Sequence, residues 1–125
     1  MVLGVGIDII EVTRIRGAYE KFGERFVQRI LCADEIAYCQ SHRDMFPFLA
    51  ARFAAKEAVS KAFGTGIGGQ LGWQDIEVRH KPSGQPFIYL HEQGQRLLQV
   101  QQARALHLSL SHTEFYAAAV AILES

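Results

Sequence analysis

Asp8, Glu57, Lys61 and His112 are the residues of this chain whose types and settings suit chemistry. Glu57 and Lys61 stand four apart in the run Arg52-Phe53-Ala54-Ala55-Lys56-Glu57-Ala58-Val59-Ser60-Lys61-Ala62, so on a helix one lies above the other. A carboxylate among cations suits a divalent metal ion and a phosphorylated ligand. A solvated i,i+4 pair, worth only about 0.3–0.5 kcal/mol, is the plainer alternative. Asp8 lies inside Val2-Leu3-Gly4-Val5-Gly6-Ile7-Asp8-Ile9-Ile10-Glu11, a short apolar, β-branched run that reads as a largely buried strand. A buried carboxylate must be paired, hydrogen-bonded or bound to a cation. A local backbone cap or an arginine partner would serve as well as a metal. His112 follows Leu106-His107-Leu108-Ser109-Leu110-Ser111. A histidine at a hairpin tip beside hydroxyls can bind phosphate or move a proton, or it can simply be solvated.

These residues need elements to hold them. Alanine, lysine and glutamate favour helix, and no Pro or Gly interrupts residues Phe48 to Phe63. At about 100° per residue, Ala51, Ala54, Ala55, Ala58 and Ala62 share one arc, while Arg52, Lys56, Glu57, Ser60 and Lys61 occupy the other side. An alanine face lets another backbone come close. Strand alternation puts Gly4 and Gly6 on the face of Asp8, leaving room for such an approach. Leu106, Leu108 and Leu110 alternate with polar residues as in a half-buried strand, which returns through Phe115 to Leu123.

The remaining elements are a helix from Glu11 to Phe22, with Thr13 as cap and an end near Gly23, and a short helix from Ala33 to Ser41. A hairpin of Asp75–His80 and Phe87–Leu90 flanks Lys81-Pro82-Ser83-Gly84. A helix over His91–Ala103 turns Leu97, Leu98 and either Val100 or Gln101 inward. Irregular alternation with antiparallel hairpins gives an α+β class rather than a doubly wound sheet. The glycine loop Gly64-Thr65-Gly66-Ile67-Gly68-Gly69-Gln70-Leu71-Gly72 follows a helix rather than preceding one, so it is no Walker-type phosphate cradle. Gly64 reads as the helix C-cap.

Composition narrows the classes. A chain of 125 residues, 49% apolar, supports one domain over residues 1–125 with a single core. No stretch is long enough to cross a membrane, and no signal peptide is legible. Cys32 and Cys39 fit a reducing cytoplasm better than a disulfide scaffold. No histidine clusters with them in sequence, which argues against zinc. Thirteen basic and thirteen acidic side chains balance, which argues against a general nucleic-acid binder.

Three segments together resemble the holo-[acyl-carrier-protein] synthases, the short 4′-phosphopantetheinyl transferases. They are Gly6-Ile7-Asp8-Ile9-Ile10-Glu11, Phe53 through Ala62, and Leu108-Ser109-Leu110-Ser111-His112-Thr113. Order, spacing and length agree over nearly the whole chain. The resemblance implies a compact α+β domain that associates as a homotrimer. It also implies Mg²⁺-dependent transfer of 4′-phosphopantetheine from coenzyme A to a serine of apo-acyl carrier protein, in support of fatty acid biosynthesis. Asp8 and Glu57 would then hold the metal and, with Lys61, form the catalytic set. Arg52, Lys61, Gly64, Ser111 and His112 would contact coenzyme A, with Arg52 and His112 on a phosphate. Thr113 and Glu11 would be lesser members.

A carrier protein is acidic, and Arg14, Ala18, Lys21 and Arg25 fall on one helical stripe, with Arg29 just beyond. From Val12 to Ile30 there are five basic residues against two acidic ones, in a chain that is neutral overall. That stripe is the expected docking surface. Two other activities would use the same residues: a metal-dependent hydrolase of a nucleotide pyrophosphate, and a non-catalytic coenzyme A-binding module.

Overall fold

The computed structural model describes residues 1–125. In chain order it runs β1 (Val2–Glu11), α1 (Val12–Phe22), α2 (Glu24–Ile30), α3 (Ala33–Gln40) and α4 (Phe46–Phe63). A 3₁₀ turn (Trp73–Asp75), β2 (Ile76–His80), β3 (Pro86–Leu90), α5 (Glu92–Val100), β4 (Ala105–His112) and β5 (Tyr116–Glu124) follow. β1, β5 and β4 form one antiparallel sheet in that order, and β2 and β3 form a separate hairpin. This is the expected α+β class.

One face of the three-stranded sheet packs on α4. The register pairs Asp8 with Ala119 and Gly6 with Ala121 across β1 and β5, and Leu110 with Ala119 and Leu108 with Ala121 across β4 and β5. Ala119, Ala121, Leu108 and Leu110, with Ala54, Ala55, Ala58 and Ala62 of α4, belong to or border one apolar cluster. A second cluster joins α1, α2, α3 and the first half of α4 through Val12, Ile15, Val27, Ile30, Leu31, Cys39 and Leu49.

Several expectations change. The helix over residues 46–63 begins at Phe46, with Pro47 in its first turn, where a missing N–H costs nothing. It is buried nearly all round: Arg52, Lys56 and Ser60 are as inaccessible as the alanines. Only Glu57 and Lys61 of the supposed polar side face outward, because α4 has the sheet on one flank and α2, α3 and β2 on another. The N-terminal strand is buried on one face alone. Val5, Ile7 and Ile9 are 60%, 64% and 67% exposed. The helix after it starts at Val12 with Glu11 as cap and no side-chain cap bond, so Thr13 does not cap it. Gly23, at φ 66°, breaks the basic stripe: Arg14 and Lys21 lie on α1, Arg25 and Arg29 on the separate α2. Gln101 rather than Val100 turns inward after α5, donating to the Phe63 carbonyl at 2.9 Å, while Val100 is exposed.

Candidate active site

β1 meets α4 backbone to backbone at two glycines. A Cβ on Gly6 would collide with the Ala58 carbonyl oxygen, and one on Gly4 with that of Ala62. Only hydrogen at both positions permits the approach. Two residues on from Gly6, the same strand face presents Asp8 to the outward flank of α4.

There three charged groups converge. Lys61 Nζ donates to Asp8 Oδ1 at 3.2 Å and to the Ile7 carbonyl at 2.9 Å. The Lys61 side chain stays 51% exposed while that of Asp8 is 17% exposed. Glu57 lies one turn before Lys61. Burial raises its carboxyl above the ordinary value, the Asp8 charge pushes the same way, and Lys61 opposes both. Two carboxylates that repel each other at one exposed spot, with oxygen donors only, can hold a hard divalent cation.

A second set gathers near the start of α4. Arg52 is 2% exposed. Its Nη1 reaches the Phe48 carbonyl at 3.4 Å, its guanidinium lies 4.1 Å from the centre of the Tyr38 ring, and its Nε and Nη2 have no partner. Tyr38 stacks on His80 at 4.6 Å and His42 on Phe48 at 3.6 Å, while His112 meets the edge of Phe48 at 5.0 Å. Burial, with the Arg52 charge behind it, lowers the pKa of His80. A cavity of about 280 Å³ lined by Tyr38, Arg52, Arg79 and His80 among others adjoins the set. A buried guanidinium with free donors beside histidines suits a phosphate. Tyr38, His42 and His80 escaped the sequence reading, since they come from α3, the loop after it and β2 and carry no local signal.

The fold does not merge the two sets in one chain. Glu57 is nine residues beyond Phe48, about 13 Å along the helix axis. Ser111 and His112 point to opposite faces of β4: Ser111 pairs with the outward Ala118, His112 with the buried Ala117. Gly64 caps α4 at φ 81°, its N–H donating to the Lys61 carbonyl at 3.0 Å, with open space where a side chain would stand.

The basic residues after β1 border a third feature. Lys21, Arg25 and Arg29 line a groove of about 810 Å³ with Phe22, Phe26, Ile30, Phe53 and Trp73. Arg14 is exposed outside it. The apolar floor was not foreseen, because Phe53 and Trp73 reach it from distant parts of the chain.

The chain matches the 4′-phosphopantetheinyl transferase superfamily over residues 4–121. It is 49% identical over 124 residues, 99% of either chain, to the holo-[acyl-carrier-protein] synthase of Koribacter versatilis. The chain belongs to this family. Its backbone is similar to that of the holo-[acyl-carrier-protein] synthase of Neisseria meningitidis, at TM-score 0.94 and 34% identity with both chains fully covered. It is also similar to the Helicobacter pylori synthase in complex with coenzyme A, at TM-score 0.86 and 33% identity over 96% of this chain and 99% of that one. The family's reaction is therefore this chain's: transfer of phosphopantetheine from coenzyme A to apo-acyl carrier protein.

Proposed function

We propose that Asp8, Glu57 and Lys61 carry out this transfer and that Asp8 and Glu57 are the residues that would hold Mg²⁺. The carrier serine attacks the phosphorus that bears pantetheine. The P–O bond to adenosine 3′,5′-bisphosphate breaks, and the serine proton passes to one of the two carboxylates or to a water they hold. Lys61, half exposed beside Asp8, faces the transferring phosphoryl group and offsets its charge. When bound, Mg²⁺ neutralises the charge that builds on the pyrophosphate. The observation that carries this reading is the convergence of Asp8, Glu57 and Lys61 at the glycine contact of β1 and α4.

Arg52 and His112 bind the phosphate at the adenosine end, for which the partnerless guanidinium nitrogens provide donors. Gly64 and Ser111 are lesser members of the coenzyme A site. Because one chain keeps Arg52 more than a turn, and the Phe48 that His112 meets about two and a half turns, from Glu57, we place the complete site between subunits of a homotrimer. The outward face of the sheet, with Val5, Ile7 and Ile9 beside Ala118, Val120 and Ile122, supplies an apolar surface for that association. Lys21, Arg25 and Arg29 receive an acidic helix of the carrier, with Arg14 adding to the field that steers it.

The test is the mass of an apo-carrier protein incubated with this protein, coenzyme A and Mg²⁺. The expected result is one added phosphopantetheine on the serine. Coenzyme A cleavage without carrier modification would favour the hydrolase. Binding with no reaction would favour the coenzyme A-binding module.

A further inference from the structure

Cys32, Glu77 and His91 are remote in sequence; Glu77 also lines the cavity beside Arg52, while Cys32 and His91 lie outside the features above. Cys32 immediately precedes α3, Glu77 lies on β2, and His91 immediately precedes α5. The fold brings their ligand atoms within 4.8 Å of one another. His91 Nε2 and Glu77 Oε1 are 2.7 Å apart, and Arg79 Nε donates to the other Glu77 oxygen at 2.9 Å. The thiol of Cys32 has one weak partner, the Gln74 carbonyl at 3.6 Å. Histidines and cysteines that do not cluster in sequence thus cluster in space.

We propose that Cys32, Glu77 and His91 form a binding site for Zn²⁺ that ties α3, β2 and α5 together. Thiolate, imidazole and carboxylate are zinc's ligand types, and a thiolate disfavours Mg²⁺. With metal–ligand distances of about 2.0–2.3 Å, tetrahedral ligands sit roughly 3.3–3.6 Å apart. Entry of the ion therefore requires the Glu77–His91 pair to open by about half an ångström and Cys32 to move in by about one, within reach of side-chain rotation. The ion takes the Nε2 position of His91, whose ring then carries its proton on Nδ1, and the Cys32 proton leaves to solvent. Burial holds that thiol up at about 11, so it is protonated until the metal displaces the proton. Arg79 stays on the second Glu77 oxygen and orients the carboxylate, as outer partners of metal ligands do. The fourth position faces solvent through His91, whose side chain is 38% exposed, and takes water. Glu77 is 4% exposed and already ionised: burial pushes its carboxyl up, but hydrogen bonds from Arg79 and His91 outweigh that and hold it below the ordinary value.

Cobalt(II), a spectroscopic stand-in for zinc, tests the site directly. It is titrated into the Asp8→Asn variant in excess Mg²⁺, which removes the other acidic pair from consideration. One equivalent should produce the thiolate-to-cobalt charge-transfer band, and Zn²⁺ should bleach it. Cys32→Ser should abolish the band. His91→Gln should weaken binding by at least the roughly 10- to 100-fold seen when an outer partner is lost. In the wild-type background both changes should leave phosphopantetheine transfer intact. Zn²⁺ should raise the wild-type melting temperature and leave that of Cys32→Ser unmoved. Absence of the band at saturating cobalt overturns the site, as does a band that survives Cys32→Ser, which would point to Cys39. Should Cys32→Ser fail to fold, undiminished affinity in His91→Gln overturns it instead.

Discussion

Two carboxylate–lysine clusters lie on α4, one turn apart, and they differ in what is left unsatisfied. Lys56 and Glu35 meet at 2.7 Å with both side chains 0% exposed. Lys56 Nζ also donates to the Ile30 and Trp73 carbonyls, and Glu35 accepts from the Cys32 and Val78 N–H groups. All three ammonium hydrogens have partners, and α2, α3, α4 and β2 are pinned together. At Asp8, Glu57 and Lys61 the opposite holds. Lys61 bonds Asp8 and leaves Glu57 without an ion pair, that lysine is half exposed, and Glu57 resists ionisation. A saturated cluster holds structure, whereas an unsaturated one has capacity for a cation, a phosphate and a proton.

Breaking the unsaturated cluster should therefore cost activity and spare the fold. Asp8→Asn and Glu57→Gln should each lower kcat by roughly 10²- to 10⁴-fold, the range of a lost general base or its equivalent, and raise the Mg²⁺ needed for half-maximal rate. Steady-state assays over a Mg²⁺ series, with circular dichroism as the fold control, check both. Breaking the saturated cluster should do the reverse. Lys56→Met leaves Glu35 buried without its cation and should cost about 3–5 kcal/mol of stability, while Glu35→Leu with Lys56→Met should recover much of it. Urea unfolding of the three proteins measures this, and equal stability of single and double variants would remove the distinction.

A smaller change sharpens the comparison from the strand side. Gly6→Ala forces β1 away from α4, since the new methyl meets the Ala58 carbonyl. The expected cost is about 1–3 kcal/mol in stability, as for overpacking, with a higher Mg²⁺ requirement because Asp8 moves off Glu57. The same substitution at Gly17, which has open space around it, is the control. The smallest effect is expected at the groove. Arg14→Glu with Arg25→Glu should lower kcat/KM for the carrier, by about 1 kcal/mol per lost contact, and flatten its salt dependence. Coenzyme A affinity measured by calorimetry should not change. An unaltered carrier kcat/KM would make these residues a solvated face.

The sequence made the acids and Lys61 legible because each sits in a local pattern: an acid in a β-branched strand beside glycines, and an i,i+4 pair on an unbroken helix. It misplaced Arg52, Lys56 and Ser60 because amphipathic reading assumes one buried face, and α4 has several. α2 was missed for a related reason. Seven residues after the stop at Gly23 are too few for a helical period to stand out. The exposed face of β1 reads as core, because an apolar strand has the same composition whether its second face is covered or open. The groove floor at Phe53 and Trp73, the histidines around Arg52, and the meeting of Cys32 with His91 depend on tertiary folding and leave no trace in spacing.

The most direct test pairs two readings on one variant, Glu57→Gln. Because the folded state raises the pKa of Glu57, it binds that proton more tightly than the unfolded chain does. Stability from this group is present below its ordinary pKa of 4.5 and is lost as pH rises through the folded value. At neutral pH the ionised carboxylate is a strain that glutamine removes. Without added metal, Glu57→Gln should melt higher than the wild type at pH 7, and the gap should close as pH falls towards 4.5. Transfer to the carrier should be lost in the same protein. A variant that melts lower and loses activity would make Glu57 a structural residue. One that keeps wild-type transfer would remove it from the reaction and contradict the account.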